Sequence, residues 1–186
     1  MTETALAFDL RMSRDEYRAW AEHQASRRFE RVNGVVVTMA PERIGHNSRK
    51  MLVWLTLRNA IRQAGLPCDV YGDGITVEVG DSDYEPDAIV HCGGTLPTDA
   101  VAVPNPLIIV EVLSPSTGSH ERVWKLKDYF RLSSLRHYLI VWPDKQQIVH
   151  HRRDDAGKVD KETVVRGDII LDPPGISFAI DDIYAE

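Results

Sequence analysis

Long hydrophobic runs are missing from this chain, and no apolar stretch approaches the roughly 20 residues that a bilayer-spanning helix needs, so a membrane class is not expected. The opening MTETALAFDLRM has neither a basic n-region nor an apolar h-region, which makes export unexpected and a cytoplasmic location the expectation. Only Cys68 and Cys92 are present, outside any CxxC pair or Cys/His set with zinc spacing, and two reduced, mostly buried thiols are the reading. An excess of positive charge is also lacking. With a formal net charge of -6, the whole surface cannot serve as a non-specific phosphate binder, so contact with nucleic acid would have to use a local basic patch. There is no Walker loop or dinucleotide fingerprint, hence no nucleotide cofactor is expected. Ser114, Ser116 and Ser119 lack a GxSxG elbow, which sets aside a serine hydrolase of that kind.

What is present suits one folded unit. The 186 residues are enough for a single well-buried domain over 1–186, and 43% apolar with 27% charged residues is the balance of an ordinary globular chain rather than a disordered one. Ser13 to Glu16 has capping-box spacing and opens a short helix with Tyr17 and Trp20 or Ala21 on its apolar side. Asn33-Gly34 lies between two extended runs and predicts a hairpin with Glu30 on its first strand. From His46 to Ala64, Met51, Leu52, Leu55, Ala60 and Ile61 recur near helical spacing until Gly65 and Pro67 end the pattern. Val70 to Val79 reads as a bent strand or tight hairpin about Asp73-Gly74. Short apolar strands follow at Asp87–Val90 and Leu107–Leu113, then a helix over Ser119–Leu132 with Val123, Leu126 and Tyr129 or Phe130 inward. The strand HYLIVW, a charged hairpin over 146–166 with its turn near Gly157, a strand in GISFAI and one helical turn complete the chain. This order predicts α/β or α+β architecture with a mixed central β-sheet flanked by helices.

Glu111 is the anomaly: it interrupts the aliphatic run LIIVEVL, where burial of a lone carboxylate costs several kcal/mol unless something compensates it. Asp87 stands on the preceding core-type strand. Adjacent strands lie about 4.8 Å apart, so two carboxylates at matching depth on one face could share a hard cation such as Mg2+, with Mn2+ as a substitute. The blander reading has Asp87 capping a turn beside Pro86 or pairing with an arginine. Lys125, four residues after Glu121, reads from spacing alone as half of an exposed helical ion pair. His150-His151-Arg152-Arg153 could contact phosphates, although charged hairpin tips are usually only solvated.

EPDAIV, PLIIVEVLSPST, the ERVWKLKDYF helix and HYLIVWP together resemble the Uma-type restriction endonucleases, over nearly the whole chain from about Asp15 to the closing PPGISFAIDDIY. The resemblance implies a restriction-endonuclease-like PD-(D/E)XK fold and metal-dependent hydrolysis of DNA phosphodiester bonds. It implies that Asp87 is the aspartate of the PD element, that Glu111 is the second acid, and that the backbone carbonyl of Val112 helps hold Mg2+. Leu113 occupies the usual lysine position, two residues after that acid, and the family's lysine on the following helix matches Lys125. Glu30 matches an upstream glutamate and His46 a histidine at the start of the long helix. One departure is Glu121, where the family usually has aspartate. DNA is the implied partner, with Arg49, Lys50, Arg122 and Lys127 as candidate backbone contacts. A homodimer is plausible because many nucleases of this fold cut two strands with paired sites, but no interface stripe stands out. The alternative function is a catalytically inactive binding or assembly module on the same fold.

Overall fold

In the computed structural model, which describes residues 7–24, 27–114 and 119–185, the chain builds two larger sheets and one small one. Six strands and two helices make up the first part of the chain. Strand β1 (Ala7–Arg11) leads to helix α1 (Arg14–Ala21), whose Ser13 and Glu16 form the reciprocal capping box that their spacing predicts. Strands β2 (Phe29–Val32) and β3 (Val35–Thr38) are joined by Asn33 and Gly34, both at positive φ (50° and 77°), as the two-residue turn requires. Helix α2 (Ile44–Ala64) ends at Gly65 in the left-handed conformation. Strand β4 (Asp69–Gly72) follows, and then β5 (Val77–Val79) and β6 (Ser82–Tyr84).

The segment 70–79 is not a hairpin. β4 pairs with β7 (Ala88–His91) in a six-stranded sheet, whereas β5 belongs to a five-stranded sheet of order β1-β3-β2-β6-β5, so the chain changes sheets at Asp73-Gly74. Strand β8 (Ile108–Val112), helix α3 (Ser119–Tyr129) and β9 (His137–Trp142) form a crossover, and β8 and β9 are parallel. Parallel neighbours need such a long connection, which is why a helix sits between them. β10 (Gln147–Arg153) and β11 (Val159–Val164) extend the sheet antiparallel, giving the order β11-β10-β9-β8-β7-β4 and the expected mixed character. A separate hairpin, β12 (Asp168–Leu171) with β13 (Ile176–Ala179), and α4 (Ile180–Tyr184) end the chain.

Strand alternation divides the core in two. Ala88, Val90, Ile108, Val110, Leu139 and Val141 face α2, where Val53, Leu57, Ala60 and Ile61 meet them. Ile89, Ile109, Tyr138 and Ile140 face Tyr129 of α3 and Val77, Val79 and Tyr84 of the five-stranded sheet. The buried stripe of α2 therefore differs from the expected one: Met51 and Leu55 are exposed, and Val53 and Leu57 take the core positions. Val123 of α3 is likewise exposed, at 62%.

Two further expectations change. Cys68 and Cys92 are disulfide-bonded rather than reduced, because the Asp69 to His91 register of β4 and β7 brings the two cysteines across from one another with Cα atoms 4.2 Å apart. His150 and His151 are buried, not solvated at a hairpin tip. The Nδ1 of His137 lies 2.9 Å from Nε2 of His150, and burial pushes both rings down to about 4. No helix among the described residues is long and apolar enough to cross a membrane.

Candidate functional site

The charged groups collect where β7 begins and β8 ends. Ala88 pairs with Val110, so one further step along the same antiparallel register sets Asp87 opposite Glu111 on the face that carries Ile89, Ile109 and Leu113. The Asp87 N–H donates to the Val110 carbonyl at 3.1 Å, and Asp87 Oδ2 accepts from the Val112 N–H at 2.6 Å. Those two bonds orient the carboxylate. Its other oxygen, Oδ1, lies 3.1 Å from Nζ of Lys50.

Glu111 meets the opposite helix. Its Oε1 accepts from Lys125 Nζ at 3.2 Å and from the Tyr129 hydroxyl at 2.8 Å, both on α3. Lys125 Nζ also donates to Glu30 Oε1 at 3.0 Å, and the Glu85 N–H donates to the same oxygen at 2.9 Å. Thus β2, β8 and α3, separated by up to 95 residues, converge on one ammonium. Lys125 is buried and lies 5.5 Å from the centre of the Tyr84 ring, so it is not the exposed ion-pair partner that helical spacing alone suggests. The side chains of Glu121 and Arg122 lie outside the described residues.

The electrostatics are those of crowded acids. Burial raises Glu111 to about 8, with Asp87 and Glu30 adding to the rise while Lys125 and the Tyr129 hydroxyl oppose it. Burial also raises Asp87, and Lys50 and the Val112 N–H work against that shift. That Asp87 acts on Glu111 as a like charge is what their shared face and register lead one to expect.

On the α2 side, His46 has Nε2 2.8 Å from the Val112 carbonyl oxygen and Nδ1 2.9 Å from Glu42 Oε1. Lys50, one helical turn on, is buried and bonds Glu42 Oε1 and Asp73 Oδ2 at 2.6 Å each. Arg28 donates from Nη1 to Asp73 Oδ2 at 2.6 Å and from Nε to Glu85 Oε2 at 3.1 Å. Glu42, Asp73, Glu85 and Arg28 are members of the cluster that sequence reasoning missed. A signal existed for Lys50, since His46, Lys50, Val53 and Leu57 share one helical face. Of the other basic candidates, Arg49 donates to the Ile183 carbonyl and packs on Tyr184, and Lys127 is exposed on α3.

No group of three or more His, Cys, Asp or Glu side chains among the described residues is arranged to hold a metal. Mg2+ asks for less: one or two carboxylates, with waters and substrate phosphate completing its shell. Glu111 Oε2 and Glu30 Oε2 have no hydrogen-bond donor among the described residues, and neither is a fully enclosed orphan. Glu111, with one uncommitted oxygen, fits a hard divalent ion, as does Glu30, whereas the Asp87 oxygens and the Val112 carbonyl, which meet the Val112 N–H, Lys50 and His46, would share an ion through their second lone pairs.

The same arrangement of strands and helices is found in a solved structure. A crystal structure described as a "putative nuclease belonging to DUF820" from Anabaena variabilis matches with a TM-score of 0.75 over 94% of this chain and 98% of that one, at 13% identity. The fold is restriction-endonuclease-like. Residues 14–181 match the Uma2 family model, described as "Putative restriction endonuclease", and the chain belongs to that family. A Synechocystis protein described as uncharacterized is 28% identical, covering 94% of this chain and 92% of its own length.

Proposed function

We propose that this protein is a metal-dependent nuclease that hydrolyses DNA phosphodiester bonds, with Asp87, Glu111 and the Val112 carbonyl holding Mg2+, for which Mn2+ can substitute. The observation that carries the reading is the convergence of Asp87 and Glu111, from adjacent core strands, beside a buried lysine that bonds Glu111 directly. Family membership supports DNA as the substrate. When bound, the ion would lower the pKa of a coordinated water and neutralise charge on the scissile phosphate.

The protein's own groups do the rest. The Val112 N–H fixes Asp87, and Tyr129 together with Lys125 fixes Glu111, so both acids are held before any substrate arrives. The Lys125 ammonium, shared by Glu30 and Glu111, offers a positive charge to the phosphate or orients the attacking water. Glu30 brings a further buried carboxylate to the same ammonium, and His46 steadies the Val112 end of β8 against α2.

Asp87→Asn and Glu111→Gln should each abolish Mg2+- or Mn2+-dependent cleavage of plasmid and linear DNA while the melting transition stays cooperative. Lys125→Met should lower the rate by about 100- to 1000-fold, the usual cost of removing one electrostatic donor. Cleavage at the parental rate by purified Asp87→Asn and Glu111→Gln would remove both acids from the mechanism. One observation favours the second reading, an inactive module on the same fold: Lys50 already bonds Asp87 Oδ1, and His46 already reaches the Val112 carbonyl. Absence of Mn2+ binding at millimolar metal in calorimetry would select that module.

A further inference from the structure

The strangest group in the cluster is the Lys50 ammonium. Three carboxylate oxygens, from Glu42, Asp73 and Asp87, surround its Nζ at 2.6, 2.6 and 3.1 Å, so each of its three N–H donors has an acid to meet. The side chain is 7% exposed, and it comes from a helix whose other buried residues on that face are apolar. Helix anchoring would need one acid here, not three. The acids also outnumber the permanent cations: among the described residues Glu42, Asp73, Glu85 and Asp87 pair with Lys50 and Arg28, and Glu42 also meets the His46 ring at 2.9 Å. Asp87 lies on both sides of the problem, since the oxygen it gives to Lys50 belongs to the carboxylate assigned above to the metal.

Resting on the metal-dependent reading above, we infer that Lys50 is a built-in cation occupying a second cation position, between Glu42, Asp73 and Asp87, so that the site takes one divalent ion instead of two. With the ammonium in place these three acids are not arranged to hold a metal; with it removed, three carboxylates left short of counter-charge would draw a hard cation through their oxygens. Each N–H of the ammonium has a carboxylate oxygen to meet, so the three acids hold the charge in place by geometry. Lys50 is then a positioning residue: it holds Asp87 Oδ1 and keeps the neighbouring acids from recruiting a second ion.

Mn2+ counted by equilibrium dialysis and by loss of the free-ion electron paramagnetic resonance signal tests this on the full chain, without reference to cleavage. The parental protein and Lys50→Arg should each bind one Mn2+, and Lys50→Ala should bind two. The double variant Lys50→Ala/Glu42→Gln, which removes an acid from the cage, should return to one. Lys50→Ala that melts early without metal but regains the parental Tm with Mn2+ supports the inference. Lys50→Ala that stays unfolded at millimolar Mn2+ overturns it, as does a folded Lys50→Ala with a single ion. Two ions on the parental protein also overturn it while leaving the metal-dependent reading standing; no ion on the parental protein removes both.

Discussion

Glu30 and Arg31 are buried neighbours on β2, and alternation sends them into two ionic clusters of opposite character. On one side Arg31, 1% exposed, donates from Nε to Asp83 Oδ2 at 2.6 Å and from Nη1 to Asp81 and to the Met12 carbonyl. Arg14 donates to the other Asp83 oxygen at 2.6 Å and to the carbonyls of Gly80 and Ser82. Glu78 pairs with both Arg14 and Arg18, so three arginines face three acids, and their donors are spread over fixed acceptors. On the other side, Glu30 enters a group in which acids exceed cations and Glu111 is pushed up to about 8. A balanced network ties α1 and the β5–β6 turn to β2; an unbalanced one retains a demand for positive charge. Each cluster has a buried ion pair at its centre, Arg31 with Asp83 in one and Lys125 with Glu30 in the other, although Asp81 is exposed. Charge balance is what distinguishes them.

The sharpest way to break that contrast is to remove one acid from each side. Asp83→Ala leaves the buried Arg31 and the partly buried Arg14 short of a partner, and should cost about 3–5 kcal/mol, a fall in Tm of about 10 °C. Glu111→Gln should do the reverse in metal-free protein at pH 9, raising stability by about 2 kcal/mol, because it removes a charge that burial and two neighbouring acids oppose. Thermal melts of the two variants side by side decide the matter. An equal loss in both would mean that Glu111 is as structural as Asp83.

Next in size is a pH effect confined to the unbalanced cluster. Glu111 has its folded value raised from an ordinary 4.5 to about 8, so between those pH values the folded protein keeps a proton that the unfolded chain has lost. Metal-free stability contributed by Glu111 is therefore fully present below about pH 4.5 and falls as pH rises towards 8. Metal must displace that proton, so apparent Mn2+ affinity should climb with pH and level off near 8. Urea unfolding of the parental protein against Glu111→Gln, from pH 5 to 9 with and without Mn2+, isolates the slope. Parallel curves would show that Glu111 titrates like an exposed acid.

How much of this was legible in the sequence depends on the range of the interaction. Ser13 with Glu16 and Asn33 with Gly34 act within four residues, and both local structures form as their residue types require. Glu111 was legible because a single charge in an aliphatic run has no inexpensive explanation. Lys125 was not legible from helical spacing, which made it a surface residue; only the family pattern pointed inward. On α2 the apolar residues spread round most of the helix, so periodicity could not choose Val53 and Leu57 over Met51 and Leu55. The remaining misses are non-local. The Cys68–Cys92 bond depends on β4 meeting β7, and Lys50 meets Asp73 only because the chain changes sheets at that turn.

The smallest effect sharpens the comparison by altering one donor and no charge. Tyr129→Phe removes the hydroxyl that donates to Glu111 Oε1 at 2.8 Å while leaving the ring, packed edge-on against Tyr84 and Tyr138, in place. The bond favours ionised Glu111, so its loss should cost about 1 kcal/mol at pH 9 and less at pH 5, where the carboxyl is already protonated. In the same variant the pH at which Mn2+ affinity levels off should move upward, by less than one unit. A purely structural hydroxyl would change stability equally at both pH values and leave that midpoint where it was. The corresponding bond on the balanced side, Tyr17 hydroxyl to the Phe29 carbonyl at 2.6 Å, touches no titrating acid, so Tyr17→Phe should show the pH-independent loss and no change in metal binding.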